Sequence, residues 1–157
     1  MRTSTIQEIK QELLELPAKQ LIECCLRLSK YKKENKELMT YLLFESHDEA
    51  GYISGVKSEM SGLFEEINKS NLYFAKKTIR KILRIANKYI RYAGSRTVEA
   101  ELLLHFCQLV AVCGLDWQNS TVILNMYRKQ ITKIRAALES MHEDLQYDYQ
   151  RELDQLI

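Results

Sequence analysis

The stretch Leu102–Cys113, "LLLHFCQLVAVC", is the longest apolar run in the chain. It contains His105 and Gln108 and is too short for a bilayer, which takes about 20 residues to span. Its apolar residues surround a helix almost completely, the pattern of a central helix buried on most sides. Glu99 and Glu101 precede it, where acids suit a helix start, and Ser95 or Thr97 can cap that end. Gly114 stops it. A helix of this kind needs other helices around it, so the rest of the chain should supply amphipathic partners.

The flanking sequence supplies them. On the N-terminal side, "KKTIRKILRIANKYIRY" (Lys76–Tyr92) carries seven Lys or Arg and no acid. Ala75, Ile79, Ile82, Leu83, Ala86, Ile90 and Ala93 recur at spacings of three and four, with Leu72 before them. They make one apolar stripe of a helix running from about Asn71 to Gly94, a suitable left-handed cap. Further upstream, Ile53, Val56, Met60, Leu63, Phe64 and Ile67 form another stripe, in a helix whose start the Ser46/Glu49 capping pair places at His47 or Asp48. Beyond Gly114, a last long helix starts between Asp116 and Ser120 and can run to the C-terminus. Val122, Leu124, Tyr127, Ile131, Ile134, Leu138, Met141 and Leu145 face inward along it. Trp117, at the turn, reads as an anchor for this helix.

The N-terminal third follows the same rules. Ser4 with Gln7, and Thr5 with Glu8, match the capping box. Ile6, Ile9, Leu13 and Leu16 then form a stripe that Pro17 ends. A second helix points Leu21, Ile22, Cys25, Leu26 and Leu28 inward. "KYKKENK" (Lys30–Lys36) bends or continues the chain as a solvated segment. Helical spacing resumes at Leu38, Tyr41 and Leu42, with Leu43 and Phe44 widening the apolar face.

With one Pro and five Gly in 157 residues, a fold of many turns is disfavoured. The expectation is all-α: six or seven helices in a compact multi-helix bundle forming a single domain over 1–157. The alternative is a short irregular HEAT-like stack of helix hairpins. No block repeats as a solenoid would.

"LPAKQLIECCLRLSKYKKENKELMTYLLFES" (Leu16–Ser46) and "EDLQYDYQRELD" (Glu143–Asp154) resemble segments of small uncharacterised all-helical bacterial proteins with no assigned activity. The resemblance rests on leucine-and-charge patterns and implies no activity. The N-terminus has no apolar run of the kind a secretory signal carries, and the four Cys form no CxxC or zinc spacing. A cytoplasmic location without membrane association is expected, with the cysteines as small buried apolar groups.

Three features bear on function. The basic helix presents Lys77, Arg80, Lys81, Arg84, Lys88 and Arg91 on the side opposite its apolar stripe, with Tyr89 and Tyr92 at its border. Outside Lys76–Tyr92 the chain holds 16 basic against 21 acidic residues, and Glu139–Ile157 holds six acids against one Arg. Acids in the chain or in a partner can therefore neutralise the face; nucleic-acid phosphate is the other candidate. Gly51, Ser54, Gly55, Ser58 and Gly62 form a smooth strip that admits either a neighbouring helix or a docking partner. Glu139 and His142 have E-x-x-H spacing, but a di-iron bundle requires a second such pair, and Glu101/His105 supplies none. No phosphate loop, nucleophile elbow or HExxH is present. The reading is a non-enzymatic protein–protein interaction or assembly module, with a protein partner or a homo-oligomer, and with no catalytic residue, metal or cofactor. A nucleic-acid-binding helical module using residues 76–92 is the alternative.

Overall fold

The computed structural model describes all residues from Met1 to Ile157, and its regular structure is entirely helical, without a strand. There are eight α-helices and one π-helical turn, more than the six or seven expected. Two compact units divide the chain, Met1–Phe44 and Glu45–Ile157.

In the first unit, α1 (Ile6–Glu15) starts at the Thr5/Glu8 capping box. The Thr5 N–H donates to Glu8 Oε2 at 2.6 Å and the Glu8 N–H to Thr5 Oγ1 at 3.2 Å. Leu16 and Pro17 are extended, so α2 (Ala18–Tyr31) is a new helix. Lys32 is also extended, and the polar run bends the chain before α3 (Lys33–Thr40). Helices α2 and α3 pack together, and Asn35 Nδ2 bonds the free Leu28 carbonyl at 2.9 Å. No residue of α1, α2 or α3 is buried. That overturns the inward placement of Ile22, Cys25, Leu26 and Leu28, all of which are exposed. Period alone identified the apolar side of α2, but α3 covers only part of it. The π-helical turn Tyr41–Glu45 crosses the boundary between units.

The second unit is organised around α6 (Arg96–Val112), which contacts α4 (Glu49–Glu65), α5 (Leu72–Ala93), α7 (Thr121–Leu138) and α8 (Glu143–Asp154). Val98, Leu102, Leu103, Leu104, Phe106 and Val110 of α6 are buried on several sides, as the all-round apolar run requires. Met60 and Phe64 of α4 enter from one side, with the Phe64 and Phe106 rings edge-to-face at 5.9 Å. Ala75, Ile79, Ile82 and Ala86 of α5 are fully buried; the two alanines leave room for neighbouring backbones and the two isoleucines fill the space between. Gly94 ends α5 at φ 61°, and its N–H bonds the Ile90 carbonyl at 2.9 Å. Only glycine takes that backbone conformation without a Cβ penalty.

Two boundaries differ from expectation. Asp48, not Ser46, caps α4, its carboxylate accepting the Gly51 N–H at 2.9 Å. Ser46 is taken up in the turn after the π-helical segment. The last helix is two: the chain breaks at Glu139–His142, and His142, extended, caps α8. Ser140 Oγ and Gln146 Nε2 hold the Ala137 and Met141 carbonyls at 2.8 Å each. The break lets α8 fold back, burying Leu153 and bringing the Leu156 carbonyl to the Tyr127 hydroxyl at 2.8 Å. Consequently Leu145 is exposed, and at the start of α7 Ile123 is buried where Val122 was expected.

Because α6 has no solvent face over its middle turns, truncating it should be costly. Leu103→Ala is expected to lower stability by about 2–5 kcal/mol, read as a lower midpoint in urea unfolding monitored by circular dichroism.

Candidate functional site

Helix α5 separates its two faces as its spacing requires. Lys77, Arg80, Lys81, Arg84 and Arg91 are exposed, and between Lys77 and Arg91 every exposed residue is one of these five. None of the five is in an ion pair. Lys88 is half-buried, its Nζ lying 4.9 Å from the Tyr89 ring centroid and 5.9 Å from that of Tyr92. Lys76/Arg80, Lys77/Lys81, Arg80/Arg84 and Arg84/Lys88 are like-charge i,i+4 pairs, each destabilising a helix by about 0.2–0.5 kcal/mol. Folding alone therefore does not favour this arrangement.

The acidic C-terminal segment does not neutralise it. Helix α8 packs on α6 and α7, where Glu152 accepts from Gln108 at 3.3 Å and Asp154 from Gln150 at 2.6 Å. The two tyrosines beside the basic face are also engaged. Tyr89 donates to Glu59 Oε2 at 3.0 Å, and its ring meets Tyr52 and Tyr92 edge-on at 6.2 and 6.1 Å. Tyr89 thus braces α5 against α4, while Tyr89 and Lys88 lie against the Tyr92 ring.

A hydrogen bond links a second helix, distant in sequence, to the edge of this face. Lys133 Nζ of α7 donates to Asn87 Oδ1 of α5 at 3.3 Å. Asn87 adjoins the buried Ala86, on the edge between the core stripe and the basic side. Helix α7 itself carries Arg128, Lys129, Lys133 and Arg135 and no acid.

The small-residue strip faces solvent: Gly51, Ser54, Gly55, Ser58 and Gly62 are all exposed. A Cβ added at Gly55 or Gly62 would meet nothing within 4 Å, so no helix approaches there. At Gly51 a Cβ would collide with the Asp48 carboxylate that caps α4.

The most connected polar cluster lies between α4, α6 and α8. Lys57 forms an ion pair with Glu101, whose other oxygen accepts the Tyr149 hydroxyl at 2.7 Å. His105 Nε2 lies 2.9 Å from Ser61 Oγ and 3.1 Å from the Lys57 carbonyl. Burial alone would raise Glu101, but hydrogen bonds from Lys57 and Tyr149 hold its carboxyl below the ordinary range. Burial and the Lys57 charge push the His105 imidazole below its usual value. Burial and the bond to Glu101 raise the Tyr149 phenol. Sequence spacing pairs Glu101 with His105 on one helix but does not identify Lys57, Ser61 or Tyr149, which come from other helices. These bonds run between side chains and backbone of α4, α6 and α8, so the cluster ties three helices together.

Glu139 and His142 do not share a helix face: one ends α7 and the other caps α8 in an extended conformation. Cys107 and Cys113 are buried, and burial raises the Cys107 thiol to about 12. Cys24 and Cys25 are exposed, contrary to expectation, because nothing covers that side of α2. Trp117 stacks on Tyr127 of α7 at 4.6 Å, as an anchor should. Beside it a cleft of about 830 Å³ opens, edged by Arg128 and Arg135. No helix is long and apolar enough to cross a membrane. Comparison with known protein families, curated proteins and solved structures found no match.

Two measurements check this description. His105 and Glu101 both have folded pKa values below their unfolded ones, which lie near about 6.5 and 4.3. Each therefore contributes stability that is full above its unfolded pKa and is lost as pH falls through the folded value. The melting temperature should fall from pH 7 to 5 and further towards pH 4, and His105→Gln should flatten only the upper part. Gly55→Ala, with open space and a helical backbone, should stabilise by up to about 1 kcal/mol, seen as a higher thermal midpoint.

Proposed function

We propose that the chain is a non-enzymatic protein–protein interaction or assembly module that binds through its first unit, a second copy of the chain being the simplest partner. The observation that carries this is the uncovered apolar side of α1 and α2. Ile6 is 82% exposed, and Ile22, Leu26 and Leu28 are 60, 53 and 59% exposed, with Ile9, Leu13 and Leu14 exposed beside them. Burying one such side chain contributes about 1.5–3 kcal/mol. Helices shorter than about 12–15 residues are marginal in water on their own; α1 has 10 residues and α3 has eight. Amphipathic helices of this length gain most from an apolar surface that covers them, and grouped exposed aliphatic residues mark interaction sites.

The polar groups of the second unit fit the same reading. Lys57, Glu101, His105 and Tyr149 bond to one another across helices, which suits a rigid body. The four thiols, none in a disulfide, fit a reducing compartment, and a cytoplasmic location is part of the proposal.

Ile22→Glu combined with Leu26→Glu tests it, because both side chains already face solvent and the helix can persist. Light scattering behind size exclusion should give an oligomer for the wild type and a monomer for the variant, with matching circular dichroism. A wild-type monomer whose amide exchange in α1 and α2 the substitutions leave unchanged would count against the proposal.

A further inference from the structure

We propose that α5 and α7 together form a binding surface for double-stranded nucleic acid, held through its phosphate backbone without reading sequence. This stands independently of assembly through α1 and α2. The two helices carry eleven Lys and Arg and no Asp or Glu, while all 21 acids of the chain lie elsewhere; Arg128 and Arg135 edge the cleft beside Trp117, and the other nine are on α5 or on the Lys129/Lys133 side of α7. Both helices pack on α6, and the Lys133–Asn87 hydrogen bond links them across it. Lys129, one turn before Lys133, is exposed and in no ion pair, as are Lys77, Arg80, Lys81, Arg84 and Arg91.

Charge and composition select the occupant. Protein interfaces have an apolar core inside a polar rim, and peripheral membrane helices insert apolar side chains beside their cations. Between Lys77 and Arg91 this surface exposes only Lys and Arg, and the exposed Tyr73 and Phe74 are confined to the first turn of α5, so most of its length offers either partner positive charge alone. A polyphosphate backbone is the partner for which charge alone suffices, since each neutralised phosphate releases condensed counterions. From Lys77 to Arg91 the stripe runs about 21 Å at 1.5 Å per residue, matching about six phosphates of one strand at 3.4 Å spacing. Contacts confined to phosphate position a protein without specifying a sequence.

Fluorescence anisotropy with a labelled 20-base-pair DNA duplex, in two unrelated sequences, tests the surface. Equal binding to both is expected, weakening about 20-fold when salt is doubled, as roughly five phosphate contacts require. Arg80→Glu with Arg84→Glu should weaken binding roughly 100-fold, and Lys129→Glu roughly 10-fold, with circular dichroism unchanged in both. No binding at low salt, or binding that survives Arg80→Glu with Arg84→Glu, overturns the proposal. Binding that ignores Lys129→Glu overturns the two-helix surface. Tighter retention on phosphatidylserine vesicles than on the duplex, lost in the same double variant, would assign the face to a membrane and also overturn it.

Discussion

Burial of α6 is the constraint on which the second unit depends. Leu102, Leu103, Leu104 and Phe106 are consecutive or nearly so and all inaccessible to solvent or almost so. Successive helical residues point about 100° apart, so no single neighbour could cover them. Helices α4, α5, α7 and α8 must all reach α6, and each brings an apolar stripe to do so. The polar ends of that central helix are then satisfied by its neighbours: Lys57 and Tyr149 meet Glu101, and Ser61 meets His105. Polar groups at this depth are tolerated because they are bonded, and the shifts of Glu101 and His105 follow from that same half-buried setting.

Once the helices around α6 have turned their apolar sides inward, their outer sides are left to other requirements. On α5 and α7 the outer sides gather cations that repel one another, and Lys77, Arg80, Lys81, Arg84, Arg91 and Lys129 are in no ion pair. On α4 they gather glycine and serine with open space around them. The first unit differs from both. Its helices α1 and α2 have the sequence pattern of core helices but lack a core to enter. Uncovered apolar surface and uncompensated charge are both unfavourable in an isolated chain, and they lie on different units.

Local signals were readable wherever the determining chemistry lies within a few residues. The Thr5/Glu8 box, the Gly94 stop and the Ser95 cap all rest on hydrogen bonds between residues three or four positions apart. The basic face of α5 was equally legible, because helical spacing alone sorts Arg80 and Arg84 from Ile79 and Ile82. The break between α7 and α8 carries a weaker signal: no Gly or Pro marks it, although Glu143 and Asp144 are the acids that favour a helix start. A straight helix would have satisfied the local pattern as well, but would have carried Leu153 and Tyr149 away from α6.

The sequence by itself determined that the chain is helical, where most helices begin and end, and that α6 is central, because capping and hydrophobic period act over one or two turns. Tertiary structure alone decided whether each apolar stripe is covered: α5 is, and α2 is not, although both stripes read alike. It also decided that α8 folds back on α6 and α7, away from any pairing with α5, and that Lys133 and Asn87, 46 positions apart, link two basic helices. These outcomes depend on which surfaces meet across long sequence separations, and no periodicity within one helix specifies its neighbour.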